Sequence, residues 1–94
     1  MGVIQNVQMF VRHEVVDYDI WKKGYDDYAD QQNSGGVYYQ KVYRSIDNPA
    51  EVTVIHNFHS IELAKAFANS DELKALMKKI GAIGTPEIWF VQLC

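Results

Sequence analysis

Two stretches of the chain alternate between apolar and polar positions with period two, and they frame the rest. In residues 6–15, NVQMFVRHEV, one face carries Val7, Met9, Val11, His13 and Val15, and the other carries Gln8, Phe10, Arg12 and Glu14. That spacing predicts a strand with one clearly apolar face. The second stretch is a hairpin. Two β-branched and aromatic runs, 37–46 and 52–58, flank the polar break Ser45-Ile46-Asp47-Asn48-Pro49-Ala50-Glu51. Asp and Asn bond their own backbone and Pro fixes φ, so this break reads as a turn. In the second arm Val52, Val54, His56 and Phe58 oppose Thr53, Ile55, Asn57 and His59.

Helical spacing occupies the intervals. Asp17 suits an N-cap, with Asp19 adding negative charge to the first turn. Tyr18, Trp21, Tyr25 and Tyr28 then recur at spacings of 3, 4 and 3, which predicts a helix with one aromatic stripe. Gly35 and Gly36 end it. The stripe suits core packing first; the other reading is a pocket wall, because buried Tyr and Trp tips need polar partners. After the hairpin, Ser60 caps a helical pattern carried by Leu63, Phe67, Leu73, Leu76, Met77 and Ile80. Ser70 is a second N-cap signature, so two helical pieces, or one helix broken near residue 70, are expected before Gly81. Residues 82–86 read as a connector, and 87–93, EIWFVQL, as the last strand.

The order β-α-β-β-α-β within a single domain, residues 1–94, predicts an α+β class. Its architecture is the ferredoxin-like split βαβ, a four-stranded antiparallel sheet with helices on one face. The first and third strands should be central, adjacent and parallel. The opposite sheet face would carry Phe10, Ile55, Tyr38 or Val42, and part of Ile88-Trp89-Phe90. That is too much apolar surface to leave in water. A second copy of the sheet is its simplest cover, so a homodimer through sheet faces is expected. Arg12 and Glu14 would then be placed to pair across the two-fold axis.

Composition narrows the function classes. A chain of 94 residues buries only about 60–70% of its unfolded surface, which also favours association. The net charge of −3 supplies no basic field for nucleic acid. No apolar run approaches membrane-spanning length, and the start has no signal-peptide pattern. Met1-Gly2 opens like a myristoylation site, but Asn6 stands where Ser or Thr is wanted. The only cysteine, Cys94, fits a reducing compartment, and the expected location is cytoplasmic. No HxH, HExxH or CxxC spacing exists, so no metal is expected. No glycine-rich phosphate loop follows a strand, so no nucleotide cofactor is expected either.

The candidate chemistry lies with the histidines. His13 and His56 fall on the same nominal face, toward the helices, near Trp21, Tyr25 and Phe67. Pairing Val7 with Val52 would make them diagonal neighbours. An apolar pocket with a few convergent polar groups suits a small molecule, and a histidine there can take a proton from a phenol or quinol. His13 and His56 are the candidate catalytic bases; Trp21, Tyr25, Phe67 and Trp89 are the candidate binding walls. The competing reading is a pair of buried histidines satisfied by tyrosine hydroxyls or carbonyls.

Three segments, VRHEVVDYDIWKK (11–23), FHSIELAKAFANSDELKALMKKIG (58–81) and TPEIWF (85–90), resemble the dimeric α/β-barrel proteins, most closely the antibiotic biosynthesis monooxygenase-like members. With the hairpin, the resemblance covers nearly the whole chain. It implies the fold and the dimer, and a small cofactor-independent enzyme, monooxygenase- or isomerase-like, acting on an aromatic or enolisable molecule. The alternative it implies is a non-catalytic ligand-binding, accessory or stress-response module. Haem-degrading relatives need a histidine on the second helix, where this chain has Phe67.

Overall fold

Side-chain caps start three helices where the sequence places them. Asp17 accepts from the Ile20 amide, Ser60 from Leu63 and Ser70 from Leu73, each satisfying an amide that a first helical turn leaves unpaired. In the computed structural model, which describes residues 6–93, the order is β1 (Val7–Val15), α1 (Tyr18–Asp27), α2 (Ala29–Ser34), β2 (Tyr39–Arg44), β3 (Glu51–Phe58), α3 (Ile61–Ala68), α4 (Asp71–Lys79) and β4 (Ala82–Gln92). Met1, Gly2 and Cys94 lie outside the described residues. The break between α3 and α4 falls at Asn69-Ser70, as expected. The first helical segment also breaks, at Tyr28 (φ −90°, ψ 5°), into α1 and the short α2. Gly36 then takes φ +102°, a left-handed conformation that turns the chain toward β2 without a Cβ clash.

The sheet order is β2-β3-β1-β4, with every neighbouring pair antiparallel. This corrects the expected parallel pairing of the first and third strands. The helical crossover returns β2 parallel to β1, and the hairpin then reverses direction, so β3 must oppose β1. The hairpin turn works as its residues suggest. The Asn48 side chain accepts from the Ala50 amide at 3.2 Å, Ser45 Oγ accepts from the Asn48 amide at 3.1 Å, and the Ser45 amide donates to the Glu51 carbonyl at 2.9 Å.

Period two sorts the sheet into two faces. The helix-side face buries Val7, Met9, Val11, His13 and Val15 from β1, with Val52, Val54, His56 and Phe58 from β3. Trp21, Tyr25, Ala64 and Phe67 close over it. Trp21 is fully buried, and removing on the order of 200 Å² of indole from water contributes at most roughly 5 kcal/mol.

The outer face is different in kind. Its rows run Trp89–Phe10–Ile55–Lys41, Val91–Gln8–Asn57–Tyr39 and Glu87–Arg12–Thr53–Tyr43. Val42 is not on it; paired with Val54, it packs against the core beneath the helices. Phe10 and Trp89 stack at 5.3 Å, and Arg12 bonds Glu87 at 2.8 Å within the chain. Arg12 is thus matched by its neighbour on β4.

The last strand starts earlier than the sequence pattern suggests. Residues 82–86, expected as a connector, belong to β4. Arg12 pairs with Glu87 and Glu14 with Ile83, so Gly84, Thr85 and Pro86 bulge opposite His13. Gly84 at φ +70° permits the bulge, and Pro86, which lacks an amide donor, is tolerated there on an edge strand.

Candidate functional site

A cavity of about 520 Å³ lies between the helix-side face of the sheet and the helices. Met9, Val11 and Val54 form its floor, and Leu73, Leu76 and Met77 of α4 front it from the opposite side. None of the residues of α4 is fully buried. Its apolar side borders the cavity, with Leu73 and Leu76 also packed against the core. The exposed lining residues Lys74, Lys78, Gly84 and Thr85 mark the mouth, between α4 and the β4 bulge.

Four buried polar side chains interrupt this apolar lining: His13, Trp21, Gln32 and His56. Each has at least one buried polar atom without a hydrogen-bond partner among the described residues. These atoms are both ring nitrogens of His13, Nε1 of Trp21, Oε1 of Gln32 and Nδ1 of His56. Folded proteins satisfy the great majority of such atoms, so five of them on four side chains around one cavity require explanation. The histidines are uncharged at neutral pH, because burial pushes both pKa values down from 6.5 to about 4.

His56 is the better held of the two. Its Nε2 lies 2.7 Å from the Tyr25 hydroxyl, which also lies 3.3 Å from Gln40 Oε1. The hydroxyl has one proton. Given to Gln40, it leaves the oxygen to accept from Nε2–H; given to His56, it sets the Nδ1–H tautomer. In both arrangements Nδ1 is unmet. Burial pushes the Tyr25 phenol well above its usual range; a hydrogen bond from Gln32 pulls it partly back, and the Asp26 charge adds to the rise. Tyr25 is therefore a neutral hydroxyl. Its ring stacks on Trp21 at 5.0 Å and on His56 at 5.9 Å, while Trp21 also meets His13 at 5.6 Å.

The sequence-derived site is only partly assembled. His13, His56, Trp21 and Tyr25 all line the cavity. The histidines are not diagonal neighbours: His56 pairs with Met9, four residues from His13 along β1, which separates them by roughly 13 Å. They mark two separate points on the cavity wall and cannot act as a dyad. Phe67 backs His56 edge-on at 5.5 Å and does not line the cavity. Trp89, expected as a binding wall, points to the opposite face, because the alternation of β4 places Ile88 and Phe90 inward. Gln32 was not anticipated, although it continues the aromatic stripe four residues after Tyr28. Among the described residues, no three His, Cys, Asp or Glu side chains are grouped to hold a metal ion. No helix among them is long and apolar enough to cross a membrane.

No family model matches the sequence, and no curated protein matches it. Solved structures do match, and they identify the fold as that of the antibiotic biosynthesis monooxygenase-like proteins. A protein from Bordetella bronchiseptica assigned as an antibiotic biosynthesis monooxygenase superposes with a TM-score of 0.80 at 14% identity, covering 96% of this chain and 98% of that one. SnoaB, a cofactor-independent oxygenase from Streptomyces nogalater, gives 0.76 at 11% identity, covering 96% and 94%. A protein of unknown function from Nitrosomonas europaea gives 0.71 at 19% identity, covering 98% and 92%. At these identities the likeness establishes the fold.

Proposed function

We propose that this chain binds an aromatic or enolisable small molecule in the helix–sheet cavity and acts on it without a cofactor, as a monooxygenase or isomerase. The observation that carries this reading is the set of four buried side chains with unmet polar atoms on an otherwise apolar wall. Such a lining suits a ligand with an apolar body and a few polar groups. The fold shared with SnoaB, a cofactor-independent oxygenase, supports the reaction class.

In this reading His56 or His13 accepts a proton from the substrate's O–H or acidic C–H. The resulting anion either takes a proton at another carbon, which is isomerisation, or passes an electron to dioxygen as co-reactant. In the second case the two radicals combine to a C–O bond, and the protonated peroxide loses water to leave a carbonyl on the substrate. The test is oxygen uptake and product analysis over a panel of quinols and enolisable aromatic ketones. Replacing the operative histidine by Gln should lower turnover about 10²–10⁴-fold. Turnover unchanged in both His13→Gln and His56→Gln would remove the assignment.

One observation favours a second reading, a binding module without chemistry. An imidazole whose pKa is held near 4 is a weak proton acceptor at neutral pH. A ligand recovered unchanged after prolonged incubation with the protein would favour that reading. The proposal also includes a homodimer through the outer sheet face, supported by the exposure there of Tyr39, Tyr43, Trp89 and Val91.

A further inference from the structure

The cavity mouth and its interior differ in charge, and the difference bears on what enters. Lys74 and Lys78 stand four residues apart on α4, so both lie on one side of the helix, and both border the cavity. Neither has an ion-pair partner among the described residues, where the ion pairs are Arg12–Glu87 and Lys22–Asp26. The chain as a whole carries −3, so two unpaired cations at one opening run against its overall charge. Inside, no charged carboxylate or ammonium lines the wall. His13 has two unmet nitrogens, and its ring lies 5.6 Å from that of Trp21, whose N–H is also unmet. A neutral imidazole supplies an acceptor and an indole supplies only a donor. A hydroxyl both donates and accepts, so it suits that junction.

Resting on the pocket reading above, we infer that the ligand is a hydroxylated aromatic carboxylic acid: its carboxylate at Lys74 and Lys78, its ring system between the sheet and α4, and its hydroxyl against His13 and Trp21. The carboxylate remains in the high-dielectric mouth, where it keeps its solvation, and only neutral groups enter the interior. Uncharged aromatics of the same size would fill the cavity and leave the lysines unused.

Isothermal titration of the full chain with three probes, 6-hydroxy-2-naphthoate, 2-naphthoate and 2-naphthol, tests this. The hydroxy acid should bind most tightly. In the Lys74→Gln/Lys78→Gln variant, both acids should bind about tenfold more weakly, with 2-naphthol unchanged. Raising salt should weaken the acids and spare the naphthol. Both lysines are exposed, so the variant should fold. Three results would overturn the inference while leaving the pocket reading intact: 2-naphthol binding as tightly as the hydroxy acid, 2-naphthoate doing so, or a double variant that does not discriminate. Failure of all three probes to bind would overturn the pocket reading and the inference with it.

Discussion

Tyr25→Phe removes one oxygen atom from the buried site and little else. The ring keeps its stacking on Trp21 and His56, so no cavity the size of a side chain opens. What is lost is the 2.7 Å contact to His56 Nε2, the one hydrogen bond that His56 makes through its ring, since Nδ1 is already unmet. His56 is 3% exposed, so bulk water does not reach it freely. Leaving a buried polar atom unsatisfied costs about 1–3 kcal/mol, and that is the expected destabilisation. Gln40 also loses a partner, but it is half-buried and its contact is longer, so solvent offsets most of that loss. Buried Gln32 loses its bond to the hydroxyl as well, which adds to the cost in the same direction. Urea unfolding followed by circular dichroism reads the effect, with Tyr18→Phe as a control. The His56→Leu/Tyr25→Phe double variant should be less destabilised than the sum of the singles, with a coupling of about 1 kcal/mol, because both partners leave together. A neutral Tyr25→Phe, or strict additivity, would refute the account of this hydrogen bond.

Four further predictions follow from packing and charge. Stability should fall as pH drops from 6.5 toward 4, since His56 has a pKa of 6.5 unfolded and about 4 folded, so the unfolded chain binds the extra proton in that window. At pH 5 the His56 contribution alone lowers unfolding free energy by roughly 2 kcal/mol relative to pH 7.5, and a flat urea midpoint across that range would contradict it. Gly24→Ala should destabilise by about 1–3 kcal/mol in urea melts although Ala favours helix by about 1, because its Cβ would run into buried Ile80. Trp89→Lys should convert the proposed dimer to monomer by sedimentation, and an unchanged mass would exclude the outer face as its interface. Amide exchange in α4 should slow when a ligand fills the cavity, because none of its residues is fully buried and Leu73, Leu76 and Met77 border the cavity.

The parts of this structure legible in the sequence are those set by local chemistry. Alternation in 6–15 and 51–58 places His13 and His56 on the helix face, because period two leaves no choice once Val7, Met9, Val52 and Val54 must be buried. Caps at Asp17, Ser60 and Ser70, and the Asp-Asn-Pro turn, act through neighbours two or three residues away. Register is another matter. The separation of the two histidines depends on how β1 and β3 align, and an antiparallel pairing of Val7 with Phe58 moves them apart. The side chosen by Trp89 could not be read from IWFV, four apolar residues without alternation, and the bulge that sets the pairing lies upstream at Gly84–Pro86. Gln32 was hidden by its polar surroundings, Gln31, Asn33 and Ser34; the cue was its spacing from Tyr25 and Tyr28.

The cavity claim is tested most directly by the two indole N–H signals in a nitrogen-15 correlation spectrum, since the chain has two tryptophans on opposite sheet faces. Trp21, whose Nε1–H is unpartnered, is among the residues that line the cavity, whereas Trp89 stacks on Phe10 outside. Titration with 2-naphthol should shift and broaden the Trp21 indole signal in a saturable way and leave that of Trp89 in place. A saturable shift confined to Trp89, or no shift in either, would contradict the account and move the binding surface elsewhere.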